Sequence, residues 1–334
     1  MDQPENQFLR ESIPSRFEIR DRLGSGAFGA VYRAFDQKHQ MIIALKTLHR
    51  VEPTQLLHLK REFRSLTRIS HPNLVDLYEL IARGDCWFFT MDYVEGVDFR
   101  RALVGGDSVG SEPTVEGPPQ PTLDVPEEPA ETLDCADPDN TVGIDWAALG
   151  SGGNQRVSPP AAPQVDIPLL RRLLGDLVVG VNALHEYGKI HRDLKPENVM
   201  VTPEEEVKIL DFGLVTELDQ SFGEEADQEK SGESLAGTPA FLPPELATQS
   251  SLRPSADWYS LGVMLYETFT GAPPFSGLSP IQELFQKNDH PAPDVRERAG
   301  AIPEDLAQLC MDLLAIEPED RPTGPEILSR LGMV

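Results

Sequence analysis

Several short segments carry side chains whose types and spacing suit the handling of phosphate. Gly24-Ser25-Gly26-Ala27-Phe28-Gly29-Ala30-Val31 is a G-x-G-x-x-G-x-V run. Glycines let a backbone bend sharply and come close to phosphate oxygens. A dinucleotide-binding turn uses the same glycine spacing but leads into a helix, whereas here the strand-like Val31–Phe35 follows. Ile43-Ala44-Leu45-Lys46 closes an apolar run on a lysine, and Glu62 sits three residues after Leu59 and four before Leu66, on the flank of a helical stripe that meets the core. Taken singly, Lys46 reads as a surface lysine at a strand end and Glu62 as one charge among several. Two opposite charges aimed inward are costly unless they pair, so the expectation is a Lys46–Glu62 ion pair that points the ammonium at an anionic ligand.

His191-Arg192-Asp193-Leu194-Lys195-Pro196-Glu197-Asn198 is the most specific element. It follows an apolar helical stripe stopped by Gly188 and precedes the strand-like Val199-Met200-Val201. A loop so placed can present Asp193 as acceptor for a hydroxyl proton and Asn198 as an oxygen ligand for Mg²⁺. Lys195 is then placed to offset charge on a transferring phosphoryl group. Asp211-Phe212-Gly213 follows another short strand, Val207–Leu210, and Asp211 is the expected Mg²⁺ ligand between the β- and γ-phosphates.

These groups need two kinds of scaffold. From Phe17 to about Glu95 the pattern is short strands (Phe17–Arg20, Val31–Phe35, Met41–Lys46, Trp87–Met91) with one helix, in which Leu59, Phe63, Leu66 and Ile69 recur at three and four residues from near Thr54 to before Pro72. From Asp166 onward helices dominate: Leu170, Leu173, Leu174, Leu177, Val181 and Leu184 form one stripe, and a helix around Asp257 to Thr270 is apolar on most sides. Between the two, Val104 to Val165 is rich in Pro, Gly, Ser and acid, with 11 acids against the single base Arg156. It has too little apolar surface to offset its ordering entropy and is expected to be a disordered insertion, with Ile144, Trp146 and Leu149 as its one cluster able to dock.

A formal net charge of −26 on 334 residues repels phosphate backbones and anionic lipid, so nucleic-acid and membrane-surface binding are disfavoured. No apolar run reaches the roughly 18 residues of a membrane span, and the polar amino terminus does not read as a secretory signal. Cys86, Cys135 and Cys310 are odd in number and scattered, giving neither a disulfide framework nor a zinc site and suggesting a reducing, cytoplasmic home.

In order, G-x-G-x-x-G-x-V, A-x-K, H-R-D-x-K-x-x-N, D-F-G and G-T-P-x-x-x-x-P-E (Gly237 to Glu245) resemble the protein-kinase signature set. Asp257 in Asp-Trp-Tyr-Ser-Leu-Gly, Gly271–Phe275 and Arg321 agree. The resemblance implies an α+β bilobal kinase fold over residues 17–332: a small antiparallel β lobe with one main helix (17–94) and a large mainly α-helical lobe (95–332), the 104–165 insertion inside the latter and residues 1–16 as an extension. It implies a serine/threonine-specific, ATP- and Mg²⁺-dependent protein kinase of the bacterial eukaryotic-like type. Lys195 two residues after Asp193, and Thr238 in Gly-Thr-Pro, are similar to serine/threonine and not tyrosine kinases.

By similarity to kinases, Leu23, Gly24, Gly26 and Gly29 cover the nucleotide, Val31 and Ala44 cap the adenine from above and Met200 from below. Met91 is the gatekeeper, the main chain of Asp92 and Val94 bonds the adenine edge, and Asp98 serves the ribose. Lys46, aimed by Glu62, holds the α/β-phosphates. Asn198 and Asp211 hold Mg²⁺, Asp193 accepts the hydroxyl proton and Lys195 neutralises charge. Leu66, Leu77, His191 and Phe212 resemble the stack that links the lobes, anchored by Asp257. Arg192 and His58 are the expected partners of a phosphate on Ser234, four residues before Thr238; the acidic loop around Ser234 opposes that phosphate, and Thr216 stands where a basic residue is common. Pro243-Pro244-Glu245 replaces the usual Ala-Pro-Glu, and Tyr259 the usual Trp. The implied partners are proteins bearing Ser or Thr, with the 104–165 insertion as a tether or docking segment. A catalytically silent scaffold and an aminoglycoside-phosphotransferase-like enzyme are the alternatives. The first normally lacks the Lys or an Asp present here, and the second the segment ending at Glu245.

Overall fold

The computed structural model describes residues 13–26, 29–48, 56–84, 86–104, 163–211, 239–248, 252–276 and 279–333. The expectations placed on Phe212, Thr216, Ser234, Thr238 and the body of the insertion, with its Ile144, Trp146 and Leu149, lie outside them.

Five antiparallel strands make the first sheet: β1 (Phe17–Gly26), β2 (Gly29–Asp36), β3 (Met41–Leu48), β4 (Leu77–Arg83) and β5 (Cys86–Asp92), in the order β1-β2-β3-β5-β4. In β2 the buried side chains alternate, Ala30, Tyr32, Ala34 and Asp36, as a pleated strand requires. β3 is central and covered on both faces, so Ile43, Ala44 and Leu45 are buried in succession. Ile43 and Leu45 join Ile13, Phe17, Tyr32 and Phe88 on one side, while Ala44 and Leu48 join the main core on the other. There helix α1 (Leu56–Leu66) buries Leu59, Phe63 and Leu66, and the Phe63 ring lies 6.0 Å from that of Phe89.

The second lobe begins with a three-stranded sheet, β6 (Val97–Asp98), β7 (Val199–Val201) and β8 (Val207–Ile209), and a short helix α2 (Phe99–Val104). Both sides of the expected insertion reach into folded structure, since α2 runs through Val104 and Val165 packs on the core. Helix α3 (Ile167–Glu186) is started by Asp166, whose carboxylate accepts from Leu169 N at 3.0 Å, with proline in the first turn. It stops at Gly188, whose φ of +69° is open to glycine at little cost and lets Lys189 N bond back to Leu184 O at 3.0 Å. Seven of its apolar residues, from Leu170 to Leu184, are fully buried. Each is worth about 1.5–3 kcal/mol.

Helix α4 (Ser255–Thr270) is buried on nearly every side, as its composition requires. Around it lie α5 (Pro280–Asp289), α6 (Val295–Arg298), α7 (Glu304–Leu313) and α8 (Gly324–Arg330). The lobes are stitched through residues 73–75. Val75 N donates to Ile209 O at 3.1 Å, Ile209 N to Asn73 O at 2.8 Å and the Asn73 amide to Val207 O at 3.1 Å. Among the described residues no helix is long and apolar enough to cross a membrane.

Candidate active site

The loop between α3 and β7 is irregular in backbone but closely determined. Asp257, in the first turn of α4, is fully buried. Its Oδ2 accepts from His191 N at 2.8 Å and lies 2.8 Å from His185 Nε2, and its Oδ1 accepts from Arg192 N at 2.9 Å. Burial alone would push this carboxyl up. The hydrogen bond from His185 and the neighbouring His185 and His191 outweigh it and hold the carboxyl below its usual range. The His191 ring bridges outward: Nε2 lies 2.8 Å from Leu210 O and Nδ1 accepts from Asp193 N at 3.3 Å. One buried carboxylate and one buried ring therefore set the path of the chain on both sides of Asp193.

Asp193 is held at its side chain as well. Lys195 Nζ lies 3.1 and 2.9 Å from its two oxygens, and the Asn198 amide nitrogen donates to its carbonyl at 2.7 Å and to Oδ2 at 2.9 Å. That orientation of Asn198 leaves its carbonyl oxygen as the end able to ligate a cation. Asn198 O in turn accepts from Leu210 N at 2.8 Å, which brings the next residue, Asp211, beside the loop.

Asp211 has a φ of +56°, uncommon for a residue with a Cβ and a sign that its setting is imposed. Its Oδ2 accepts from Lys46 Nζ at 2.7 Å. Its Oδ1 is buried and has no hydrogen-bond partner among the described residues. A buried carboxylate oxygen left in that condition is costly, and such an anionic oxygen fits Mg²⁺, which takes one or two protein oxygens and leaves other positions to phosphates and water.

The expected Lys46–Glu62 pair is corrected here. Lys46 pairs with Asp211, and Glu62 with Lys189 just after α3. Helical spacing correctly turned Glu62 inward, but it carried no information about which of two inward cations, 127 residues apart in one case, would reach it.

The nucleotide-side residues come together along β2, β3 and β5. Val31 pairs with Lys46 across β2–β3, and Ala44 with Met91 across β3–β5. Ala44 and Met91 are buried and Val31 and Met200 half-buried. Leu23 is 44% exposed at the rim of β1. Gly29 has a φ of +142°, and a Cβ there would lie 1.8 Å from Thr47 O, so the last glycine of the run is required by a close approach of β2 to β3. Asp98 has a structural bond of its own, accepting from Arg101 N at 2.9 Å at the start of α2. His58 is exposed on α1 and Arg192 part-buried with a φ of +66°.

Sequence reasoning missed the pairings that anchor the site from behind. Tyr78 donates its hydroxyl to Asp92, whose Oδ2 also accepts from Asp76 N at 3.0 Å, tying β4 to the end of β5. Arg321, fully buried, makes a bidentate pair with Glu245 at 2.9 and 2.7 Å. Arg321 and Glu245 each stand in a motif noted above, but no local pattern announced that they pair, nor that Tyr78 meets Asp92.

The family model for protein tyrosine and serine/threonine kinases matches residues 17–331. The chain is 27% identical to serine/threonine-protein kinase PknB of Mycolicibacterium smegmatis and 28% to PknB of Mycobacterium tuberculosis, matches that cover 93% and 92% of this chain and 41% of each relative. It is 26% identical to serine/threonine-protein kinase PknL of M. tuberculosis, over 92% of this chain and 63% of that protein. The chain thus spans from about two-fifths to under two-thirds of these relatives' length.

Proposed function

Because the chain belongs to the protein tyrosine and serine/threonine kinase family, we propose that it transfers the γ-phosphoryl group of ATP to Ser and Thr hydroxyls of proteins, itself included. The observation that carries the reading is the cluster of Asp193, Lys195, Asn198 and Asp211, held by Asp257 and His191 with Lys46 at its edge. Asp193 accepts and orients the incoming hydroxyl proton. Lys195, already on that carboxylate, offsets charge as the phosphoryl group moves. Lys46 holds the nucleotide phosphates, and Ala44, Met91 and Val31 give its base an apolar seat. Asn198 and Asp211 would hold Mg²⁺, which supplies electrostatic neutralisation of the phosphates. Catalysis of this kind rests on positioning and preorganised charge.

The serine/threonine preference is supported by Lys195 and by the relatives, which are serine/threonine-protein kinases. A cytoplasmic location, the 104–165 insertion as a docking segment, and Ser234 as a phosphosite read by Arg192 and His58, with Thr238 beyond it, belong to the same proposal. So do the nucleotide contacts of Leu23, Gly24, Gly26, Gly29, Asp92, Val94, Asp98 and Met200. The net charge of −26 speaks against nucleic acid as a partner.

The test is transfer of labelled γ-phosphate to the protein itself and to myelin basic protein, wild type beside Asp193→Ala, with Mg²⁺ and with chelator. Transfer to Ser or Thr that falls by roughly 10²–10⁴ in the variant and stops with chelator is expected. ATP binding without transfer would point to a scaffold, and transfer to an aminoglycoside but not to protein would point to a small-molecule kinase.

A further inference from the structure

β5 ends at Asp92 and β6 begins at Val97, so the main chain of Asp92 and Val94 lies where the chain leaves the first sheet for the second. A short connection of that kind keeps its position only if a neighbouring element holds it, and β4 does so. Asp92 N donates to Asp76 O and Asp76 N to Asp92 Oδ2, each at 3.0 Å. The Tyr78 hydroxyl donates to the other carboxylate oxygen, Asp92 Oδ1. The amide and both carboxylate oxygens of one residue are thus engaged by the stretch 76–78.

Strand geometry explains why Tyr78 reaches it. Leu77 lies opposite Met91, and both are buried. One residue along each strand, Tyr78 and Asp92 share the other face as diagonal neighbours, a separation that an aromatic side chain can span. Beyond Leu77 the register shifts, so that Leu80 faces Phe89 and Glu79 N bonds Thr90 Oγ1 at 3.2 Å; an irregularity of this kind re-aims a side chain. Tyr78 is 38% exposed, and burial followed by the Asp92 carboxylate pushes its phenol up, which keeps it a donor. The same stretch is tied at its other end. Val75 N and Asn73 O bond Ile209 at 3.1 and 2.8 Å, and the next residue, Leu210, donates its amide to Asn198 O at 2.8 Å. Residues 73–78 therefore run from beside Asn198 and Asp211 to Asp92.

A nucleotide held at its phosphates by one group and at its base by another needs the two at a fixed separation. We propose that Tyr78 is a positioning residue for the nucleotide base: by latching Asp92 to β4 it keeps the base-facing main chain in register with Asn198 and Asp211, and so sets the affinity for adenosine nucleotides. This rests on the kinase reading above and adds to it a residue from the outer face of the sheet, acting through Asp92.

The test is steady-state transfer to myelin basic protein, varying ATP at saturating acceptor and then acceptor at saturating ATP, together with inhibition by adenosine, which carries the base and no phosphate. It compares wild type, Tyr78→Phe, which loses only the hydroxyl, Asp92→Ala, and the double variant. The expected result for Tyr78→Phe is a kcat/KM for ATP reduced roughly 5–20-fold, mostly through KM, with the inhibition constant of adenosine raised by the same factor. Its kcat and its KM for the acceptor should stay within about twofold of wild type. In the Asp92→Ala background, Tyr78→Phe should change nothing further, because the hydroxyl acts only through that carboxylate. An unchanged KM for ATP, ATP and acceptor KM values that rise together, an adenosine constant that does not move, or a further loss in the double variant overturns the inference even if the melting temperature falls. A wild type that transfers nothing overturns the kinase reading and this inference with it; a wild type that transfers beside a Tyr78→Phe variant with wild-type KM for ATP overturns this inference alone.

Discussion

Replacing Arg321 with methionine should be among the most destabilising single changes available outside the apolar core. The guanidinium has no side-chain exposure and makes five hydrogen bonds. Two go to Glu245, and the others to Ala315 O at 2.9 Å, Ser255 O at 3.0 Å and Ile316 O at 2.9 Å. It also stacks 5.0 Å from the centre of the Tyr259 ring. Methionine fills much of the volume but takes two charged hydrogen bonds from the Glu245 carboxylate, whose side chain is only 9% exposed. Breaking a buried pair by removing one partner costs about 3–5 kcal/mol. For a domain of this size that lowers the melting midpoint by about 2 °C per kcal/mol, so roughly 6–10 °C. The assay is urea unfolding with a parallel thermal melt of Arg321→Met, Glu245→Leu and the double variant. The double should recover much of the loss, because it leaves no uncompensated charge. A single variant that melts within about 1 °C of wild type, or a double whose loss equals the sum of the two singles, would refute the reasoning.

Lys189→Met removes the cation paired with Glu62. The pair is partly buried, with side-chain exposures of 20% and 14%, so a loss on the order of 1 kcal/mol in urea unfolding is expected, and a variant as stable as wild type rules out a contribution from the pair. Gly29→Ala forces a Cβ to within 1.8 Å of Thr47 O; a loss of about 1–3 kcal/mol in urea unfolding and a raised KM for ATP are expected. Asp36 is held well below the usual carboxylate range, chiefly by the Arg16 guanidinium and then by the Lys38 and His39 amides and the His39 ring, against the upward push of burial. A depressed folded pKa stabilises fully above the unfolded value of 3.8 and loses that contribution as pH falls through the folded value. The stability gap between wild type and Asp36→Asn should thus be constant near neutrality and shrink below about pH 4, and a gap that widens on acidification would contradict the assignment.

How much was legible beforehand depended on whether a feature is local. Strands β2, β3 and β5 and helices α1, α3 and α4 announced themselves through alternation, dense apolar runs or a three-and-four stripe, and fall within a few residues of expectation. β4 was missed: Leu77–Arg83 carries a charged residue in mid-strand and one buried side chain, so nothing in its pattern separates it from a loop. The helices after α4 are short and amphipathic, and were subsumed under a helical lobe without bounds. In the site, the loop around Asp193 and the position of Asp211 were readable because adjacent residues carry the chemistry. The pairings that fix them were not. Lys189 with Glu62 and Arg321 with Glu245 join residues 127 and 76 apart. Periodicity says that a charge turns inward, but only the assembled fold says which partner it meets.

The hold of Asp257 on the catalytic loop has a consequence for exchange with solvent. Amides in irregular loops ordinarily lose their protons to water quickly, because local opening costs little. The amides of His191 and Arg192 end on a carboxylate in the most enclosed of the described helices, so neither can open unless that helix gives way. In deuterium these two positions should exchange with the slow core of α4 and not with the surface. The part of the site that must be most exact thereby keeps time with a helix buried on nearly every side.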